Sequence, residues 1–270
     1  MPPLSDVLDT TLTSFSHPLI YLVLGVVVLM LTIAYLARPR RVYFVRHGQT
    51  AFNTERIRQG ALGPLSEDGR KQAQAAAEYL AQFPIRAMVA STYERSVETA
   101  HIIQKILKIP LSFSPLLIER RNPSEIVGKK DDDPAVMKVV DQIDRIYHED
   151  DFRYSDEENF VELRDRARKC LDLLASQSAG HLLVVTHGIF LKMIIGYLLN
   201  RERLHAGDYA KLSFFNASDN AGITICEYNP AKRFSKTRGW RVIEYNITPY
   251  QSEVTTTTLR GVPRIPAPIS

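Results

Sequence analysis

Two short stretches of this chain end in residues equipped to handle phosphate. Val42-Tyr43-Phe44-Val45 runs into Arg46-His47-Gly48-Gln49-Thr50, and Leu182-Leu183-Val184-Val185 runs into Thr186-His187-Gly188. Apolar, β-favouring runs of that length read as buried parallel strands. In an open α/β sheet the carboxyl ends of the strands face the ligand crevice. A histidine there is a competent nucleophile while its imidazole is neutral. A transferring phosphoryl group spreads negative charge over its oxygens, so the site must also supply fixed positive groups. Arginine provides them as a planar, permanently charged fork. Arg46 adjoins His47, and Arg95 falls in the first turn of a helix whose amino terminus itself attracts anions. One strand-end histidine alone is more often structural; two, with these arginines, favour chemistry.

The elements that must position these residues follow in order. After Thr50 a polar, irregular stretch carries Asn53, Arg56, Arg58, Gln59 and Gly60 to Gly63-Pro64-Leu65. Ser66 then reads as an N-cap with Glu67 and Asp68 in the first turn, opening a helix to about Ala81. A strand over Ala87–Ser91 leads into a helix from Tyr93 to Leu107. Leu111 to Ile118 reads as extended and delivers Glu119. From Arg121 to Ser178 the chain is helical and charged, with an Asp133-Pro134 start and a helix over Phe160–Ser176; it is expected to form a helical lid. After His187 a helix runs to about Leu199. Strands are expected near Tyr209–Asn216, Gly222–Tyr228 and Trp240–Asn246. The basic loop Lys232–Arg238 between the last two reads as a solvated hairpin tip or a contact for anionic lipid. This alternation predicts a three-layer α/β/α sandwich on a mostly parallel sheet.

At 270 residues, 45% hydrophobic and 24% charged, the chain can bury one sizeable core. A net charge of +4 with no aromatic-interleaved basic stripe gives no reason to expect nucleic acid. Cys170 and Cys226 belong to no Cys-x-x-Cys pair, so zinc and dithiol chemistry are not expected. The acidic clusters Asp131–Asp133 and Glu149–Asp151 read as solvated helix ends and loops, and neither a metal nor a cofactor is expected. Pro18 to Ala37 contains no charged residue and has the roughly 20-residue length of a bilayer span. Met1–His17 lacks the positive n-region of a signal peptide. A single retained transmembrane helix over 18–37 is therefore expected, following a short tail over 1–17. Arg38, Arg40 and Arg41 on its carboxyl side place the catalytic domain (42–249) in the cytoplasm. Residues 250–270, rich in Thr and Pro, read as a disordered tail.

Taken together, Arg46-His47-Gly48-Gln49-Thr50 with Asn53, Gln59-Gly60, Pro64-Leu65-Ser66-Glu67-Asp68-Gly69, the block Ser91–Ala100 and Thr186-His187-Gly188 resemble the ordered motifs of the histidine phosphatase superfamily, phosphoglycerate-mutase-like branch. The resemblance covers about Val42 to Asn246. It implies that His47 becomes phosphorylated, that Arg46, Arg95 and His187 bind the phosphoryl oxygens, that Asn53, Gln59 and Gly60 lie near the substrate, and that Glu119 is the proton donor. Asn122-Pro123-Ser124-Glu125-Ile126-Val127-Gly128 departs from the Gly-x-x-Glu-Gly-like segment of many relatives, which leaves Glu125 as a rival acid. The expected activity is a membrane-anchored, metal-independent phosphomonoesterase. A phosphomutase and a catalytically silent module that binds a phosphorylated ligand are the alternatives.

Overall fold

The architecture was obtained from a computed structural model, which describes residues 20–35, 37–146, 149–177, 180–212 and 218–249. Six strands form one sheet in the order β3-β2-β4-β1-β5-β6. They are β1 (Arg40–Arg46), β2 (Ile85–Ser91), β3 (Leu111–Ser114), β4 (His181–Thr186), β5 (Ile223–Tyr228) and β6 (Trp240–Ile247). The pairs β1–β4, β2–β4 and β2–β3 are parallel, while β5 runs antiparallel to both β1 and β6.

Burial on both faces explains why β1 and β4 read as unbroken apolar runs. Side chains alternate across a strand, and the two cores divide accordingly. Val42, Phe44, Leu182 and Val184 pack with helices α6 (Phe160–Ser176) and α7 (Gly188–Asn200). Tyr43, Val45, Leu183 and Val185 pack on the other face with α3 (Glu67–Leu80) and α4 (Glu94–Leu107). The layers are helix, sheet, helix. α6 starts with a reciprocal cap, Asn159 and Glu162 each satisfying the other's backbone N–H.

The segment expected as a lid divides. α5 (Pro134–Ile146) closes a small separate core, where Ile126, Val136, Val139 and Ile143 meet. α6 instead buries Leu163, Ala167, Cys170 and Leu174 in the main core. Only the part before about residue 146 is free of the sheet. The extended run from Leu111 stops at Ser114, whose hydroxyl accepts from Leu116 N and caps the 3-10 turn Pro115–Leu117. That turn redirects the chain toward Glu119.

The strand expected near Tyr209–Asn216 is not found in its described part. Residues Ala206–Lys211 form α8, and 213–216 lie outside the described residues. Ala206 and Tyr209, one helical turn apart, share the buried face, and Tyr209 packs on Phe160 at 5.9 Å. The β-propensity of an isolated tyrosine is overridden by that packing.

At the amino terminus, residues 20–35 form α1, exposed along its length. Its 16 residues span about 24 Å, short of the roughly 30 Å hydrocarbon core. Among the described residues no helix is long and apolar enough to cross a membrane. Pro18, Leu19, Leu36, the tail 1–17 and the tail 250–270 lie outside the described residues.

One close approach ties this fold to the loop after β1. An added Cβ on Gly69, near the start of α3, would stand 2.0 Å from Gln49 O, and one on Gly48 would stand 2.3 Å from Gly69 O. Alanine normally gains about 1 kcal/mol over glycine in a helix. Here backbone would meet backbone, an overpacking cost of about 1–3 kcal/mol. Gly69→Ala is therefore expected to lower the urea midpoint of unfolding and to reduce turnover by pushing the His47–Gln49 loop. A midpoint at or above that of the unaltered chain would show that the two segments can part freely.

Candidate active site

The parallel register sets Arg46 level with Thr186, so His47 and His187 leave neighbouring strand ends side by side. His47 N donates to Thr186 O at 2.9 Å, and the two imidazole centroids lie 5.1 Å apart. His47 is 3% exposed and His187 fully buried. A cavity of about 230 Å³ opens at His47, lined by Arg46, His47, Asn53, Gln59, Arg95, Glu119, Asn122, Gly188 and Ile189, while His187 and Gly60 lie behind its lining.

Hydrogen bonds assign the tautomer of His47. Its Nδ1 lies 2.8 Å from Gly48 O, and a carbonyl can only accept, so Nδ1 carries the proton. Nε2 is left with its lone pair, which accepts from Arg95 Nε at 3.2 Å. Burial, then the charges of Arg95 and Arg46, hold the His47 imidazole well below the usual histidine range. The ring is thus neutral at pH 7, as a nucleophile requires.

His187 is arranged the other way round. Its Nε2 meets Ser91 Oγ at 2.8 Å and Ser96 Oγ at 3.2 Å. Ser91 Oγ also accepts from Tyr93 N at 3.2 Å. Nδ1 of His187 is buried and has no hydrogen-bond partner among the described residues. Burial and the nearby Arg95 also lower the His187 pKa well below the usual range.

Arg95 is 2% exposed, and its guanidinium also donates to Gly60 O at 2.8 Å. Burial lowers its pKa, an effect opposed by Glu119. Arg46 donates to Ser218 O and lies against Gly188, where an added Cβ would come within 3.3 Å of its Nε. Asn53, in the short helix α2 (Ala51–Thr54), closes a reciprocal cap with Thr50, and Gln59 Oε1 accepts from Thr50 Oγ1 at 3.1 Å. Glu119 accepts from Ile189 N at 3.1 Å and Phe190 N at 2.9 Å, at the amino end of α7 where the helix dipole favours an anion. Glu125, the rival acid, is exposed, interacts with Tyr154, and does not line the cavity.

Several supporting residues escape sequence reasoning. Asn220 Nδ2 donates to His47 O at 3.2 Å and to Asn53 Oδ1 at 3.4 Å, spanning 167 residues of chain to the latter. Thr99 Oγ1 accepts from Gly48 N at 3.1 Å. Glu94 and Glu98 accept from Gly63 N and Leu65 N, fixing the loop that carries Gln59 and Gly60. Arg166 grips Glu158 with two short bonds and donates to Leu116 O and Ile118 O, which sets the backbone ahead of Glu119. A signal for Arg166 was present: it interrupts the apolar stripe Leu163-Ala167-Cys170 of an amphipathic helix. Asn122 had none beyond its place after Glu119. The acidic clusters meet basic partners, Asp131 with Arg58 and Asp150 with Arg164 and His205.

The family model for the histidine phosphatase superfamily (branch 1) matches residues 42–241, and the chain belongs to that family. It is similar to a probable phosphoglycerate mutase GpmB from Enterobacter sp. (strain 638), 29% identical over 168 residues, covering 59% of this chain and 74% of the relative. The same protein from Proteus mirabilis (strain HI4320) is 31% identical over 168 residues, with the same coverage. Among solved structures, a mycobacterial glucosyl-3-phosphoglycerate phosphatase superposes with a TM-score of 0.60 at 24% identity, covering 77% of this chain and 99% of that one.

Burial of two neutral histidines makes stability depend on pH. Both folded pKa values are lowered, so below the ordinary value of about 6.5 the unfolded chain binds the additional protons. Stability is fully present above that value and is lost as pH falls toward the folded values, by up to about 1.4 kcal/mol per pH unit for each histidine. Urea unfolding between neutral and mildly acidic pH should show this loss, and the double variant His47→Asn, His187→Asn should show a shallower slope. An unchanged slope would mean that neither ring is held neutral by the fold.

Proposed function

We propose that this protein is a phosphomonoesterase that works through a phosphohistidine on His47, without metal assistance, held at a membrane by residues 18–37. The observation that carries the reaction is the His47 ring, neutral, with Nδ1–H fixed on Gly48 O and the Nε2 lone pair among two guanidiniums. In the first step the hydrogen bond of Arg95 Nε–H passes from Nε2 to a phosphoryl oxygen, the freed Nε2 lone pair attacks phosphorus and the ester P–O bond breaks. Arg46, Arg95 and His187 stabilise the charge on the phosphoryl oxygens, and Asn53, Gln59 and Gly60 flank the substrate. The leaving oxygen takes a proton from Glu119, which must first be protonated and turn away from the amides of Ile189 and Phe190. In the second step water gives a proton to the Glu119 carboxylate and attacks phosphorus, the P–N bond breaks to restore neutral His47, and inorganic phosphate leaves. A mutase would return the phosphoryl group to substrate instead; the names of the curated relatives favour that reading, and interconversion of 2- and 3-phosphoglycerate tests it.

The anchor reading is supported by the uncharged run Pro18–Ala37 and the helix already present over 20–35. Arg38, Arg40 and Arg41 support a cytoplasmic catalytic domain. Digestion of the domain by protease added to intact cells would overturn that orientation.

Rapid mixing with a labelled phosphomonoester should trap acid-labile, alkali-stable label on the protein, absent in His47→Ala. Label retained in that variant would sink the intermediate. Arg95→Ala should lose about 3 kcal/mol of transition-state stabilisation, read as the drop in kcat/KM.

Glu119→Gln should slow alkyl phosphates by about 10²–10⁴-fold and p-nitrophenyl phosphate far less, because p-nitrophenolate leaves without a proton. If Glu125→Gln gives that leaving-group selectivity and Glu119→Gln does not, Glu125 is the acid.

A further inference from the structure

The end of the sheet opposite His47 gathers a second set of charges. β2 and β4 begin level with one another, Ile85 beside His181. β1 begins at Arg40, opposite Tyr228 at the end of β5, and Tyr228 faces Trp240 at the start of β6. The β5–β6 hairpin loop therefore lies at this same end. The turn that ends α7 meets it there: the Arg201 guanidinium donates to Thr237 O, and Arg238 pairs with Glu202 at 3.2 Å.

Segments remote in sequence thus bring Arg38, Arg86, Arg203, Lys232, Arg233 and Lys236 to the end where α1 joins the domain. All six are exposed. Among the described residues none of the six is ion-paired with a carboxylate, while Glu202 and Glu227 at this end are engaged by Arg238 and Arg241. Arg38 and Arg86 also border a cavity of about 340 Å³ with Tyr35 and His181. Phe234 crowns the hairpin, 88% exposed, with Arg233 stacked on its ring at 4.7 Å. A bare aromatic ring among cations suits a headgroup boundary, where apolar and cationic groups are both accommodated.

We infer that this end of the domain is a docking face for an anionic lipid bilayer, its cations on headgroup phosphates and Phe234 in the interface. The inference rests on the membrane reading above and specifies which face of the domain meets the bilayer. The six cations surround an emerging apolar helix and include no row of exposed aromatic rings, so nucleic acid is the weaker partner. The geometry also bears on substrate. β1 spans seven residues from Arg40 to Arg46, a rise of about 20 Å. His47 therefore stands that far from the docked face, and its cavity receives phosphomonoesters from water rather than headgroups of the same bilayer.

Cys170 and Cys226 are buried, so a Phe234→Cys variant of the full chain can be labelled at one position with an environment-sensitive fluorophore. With vesicles of phosphatidylcholine and phosphatidylglycerol the emission should rise about twofold or more and shift to the blue. With phosphatidylcholine alone it should not, and high salt should reverse the rise. Adding Lys232→Glu, Arg233→Glu and Lys236→Glu should abolish the response while hydrolysis of p-nitrophenyl phosphate in solution is unchanged. The milder pair Lys232→Gln, Lys236→Gln should reduce it partially, guarding against misfolding of the triple variant. Equal emission on both lipids, indifference to the charge changes, or a response to RNA but not to vesicles would overturn the inference. Flotation with phosphatidylcholine vesicles reads the anchor separately. Flotation without a probe response removes the docking face and leaves the anchor; a probe response without such flotation does the reverse.

Discussion

A guanidinium that cannot shed its proton, buried against an imidazole, is the constraint from which the site follows. Arg95 is 2% exposed and its Nε donates to His47 Nε2. A second positive charge on His47 would face that guanidinium in a medium that screens poorly. The ring must therefore stay neutral, and the donor on one side and Gly48 O on the other leave a single tautomer. The charge state and lone-pair direction of the proposed nucleophile are thus fixed by the fold itself. The same burial makes an anion welcome, because burying positive charge without a counter-charge is costly. A neutral imidazole and a pull toward anions are two consequences of one placement.

That placement depends on how the fold divides its strands. β1 and β4 are covered on both faces, so their interiors have no room for polar side chains, and charge can appear only where the strands end. Parallel pairing then puts both ends, and both histidines, on one side. Behind them the supporting shell is assembled from distant chain: Ser91 and Ser96 for His187, Thr99 and Asn220 for the His47 loop, Arg166 for the backbone before Glu119. These residues hold positions rather than react, which is why a site with five charged or titratable groups can be set within hydrogen-bond distances.

Legibility in the sequence followed the same division. His47, His187, Arg46 and Arg95 could be read because each adjoins a strong local pattern, an apolar run or a helix start. Glu119 followed from the extension preceding it. Asn220 and Ser218 could not be read, since what gives them meaning is a neighbour more than 160 residues away. α8 was misread because Tyr209 favours strands in isolation, while its packing on Phe160 is a tertiary fact. The segment after Arg121 was treated as one insert because both of its helices are charged. Only burial separates α6, which belongs to the main core, from α5, which closes a core of its own.

The direction of the strands also gives the molecule two ends of different character. A parallel strand that delivers Arg46 and His47 at its carboxyl end must start at the other, and here it starts at Arg40, directly after α1. Arg40 is itself 9% exposed, stacked over the Tyr228 ring at 5.0 Å and donating to the last carbonyls of α6. Its charge serves the helix C-terminus, where the dipole favours a cation, and fastens the start of β1 to the rest of the domain. Four residues, of which 37–39 are described, separate the last described residue of α1 from β1, so the helix and the start of the sheet stay close in space. Arg40 thus holds in place the start of the strand whose other end carries Arg46 and His47.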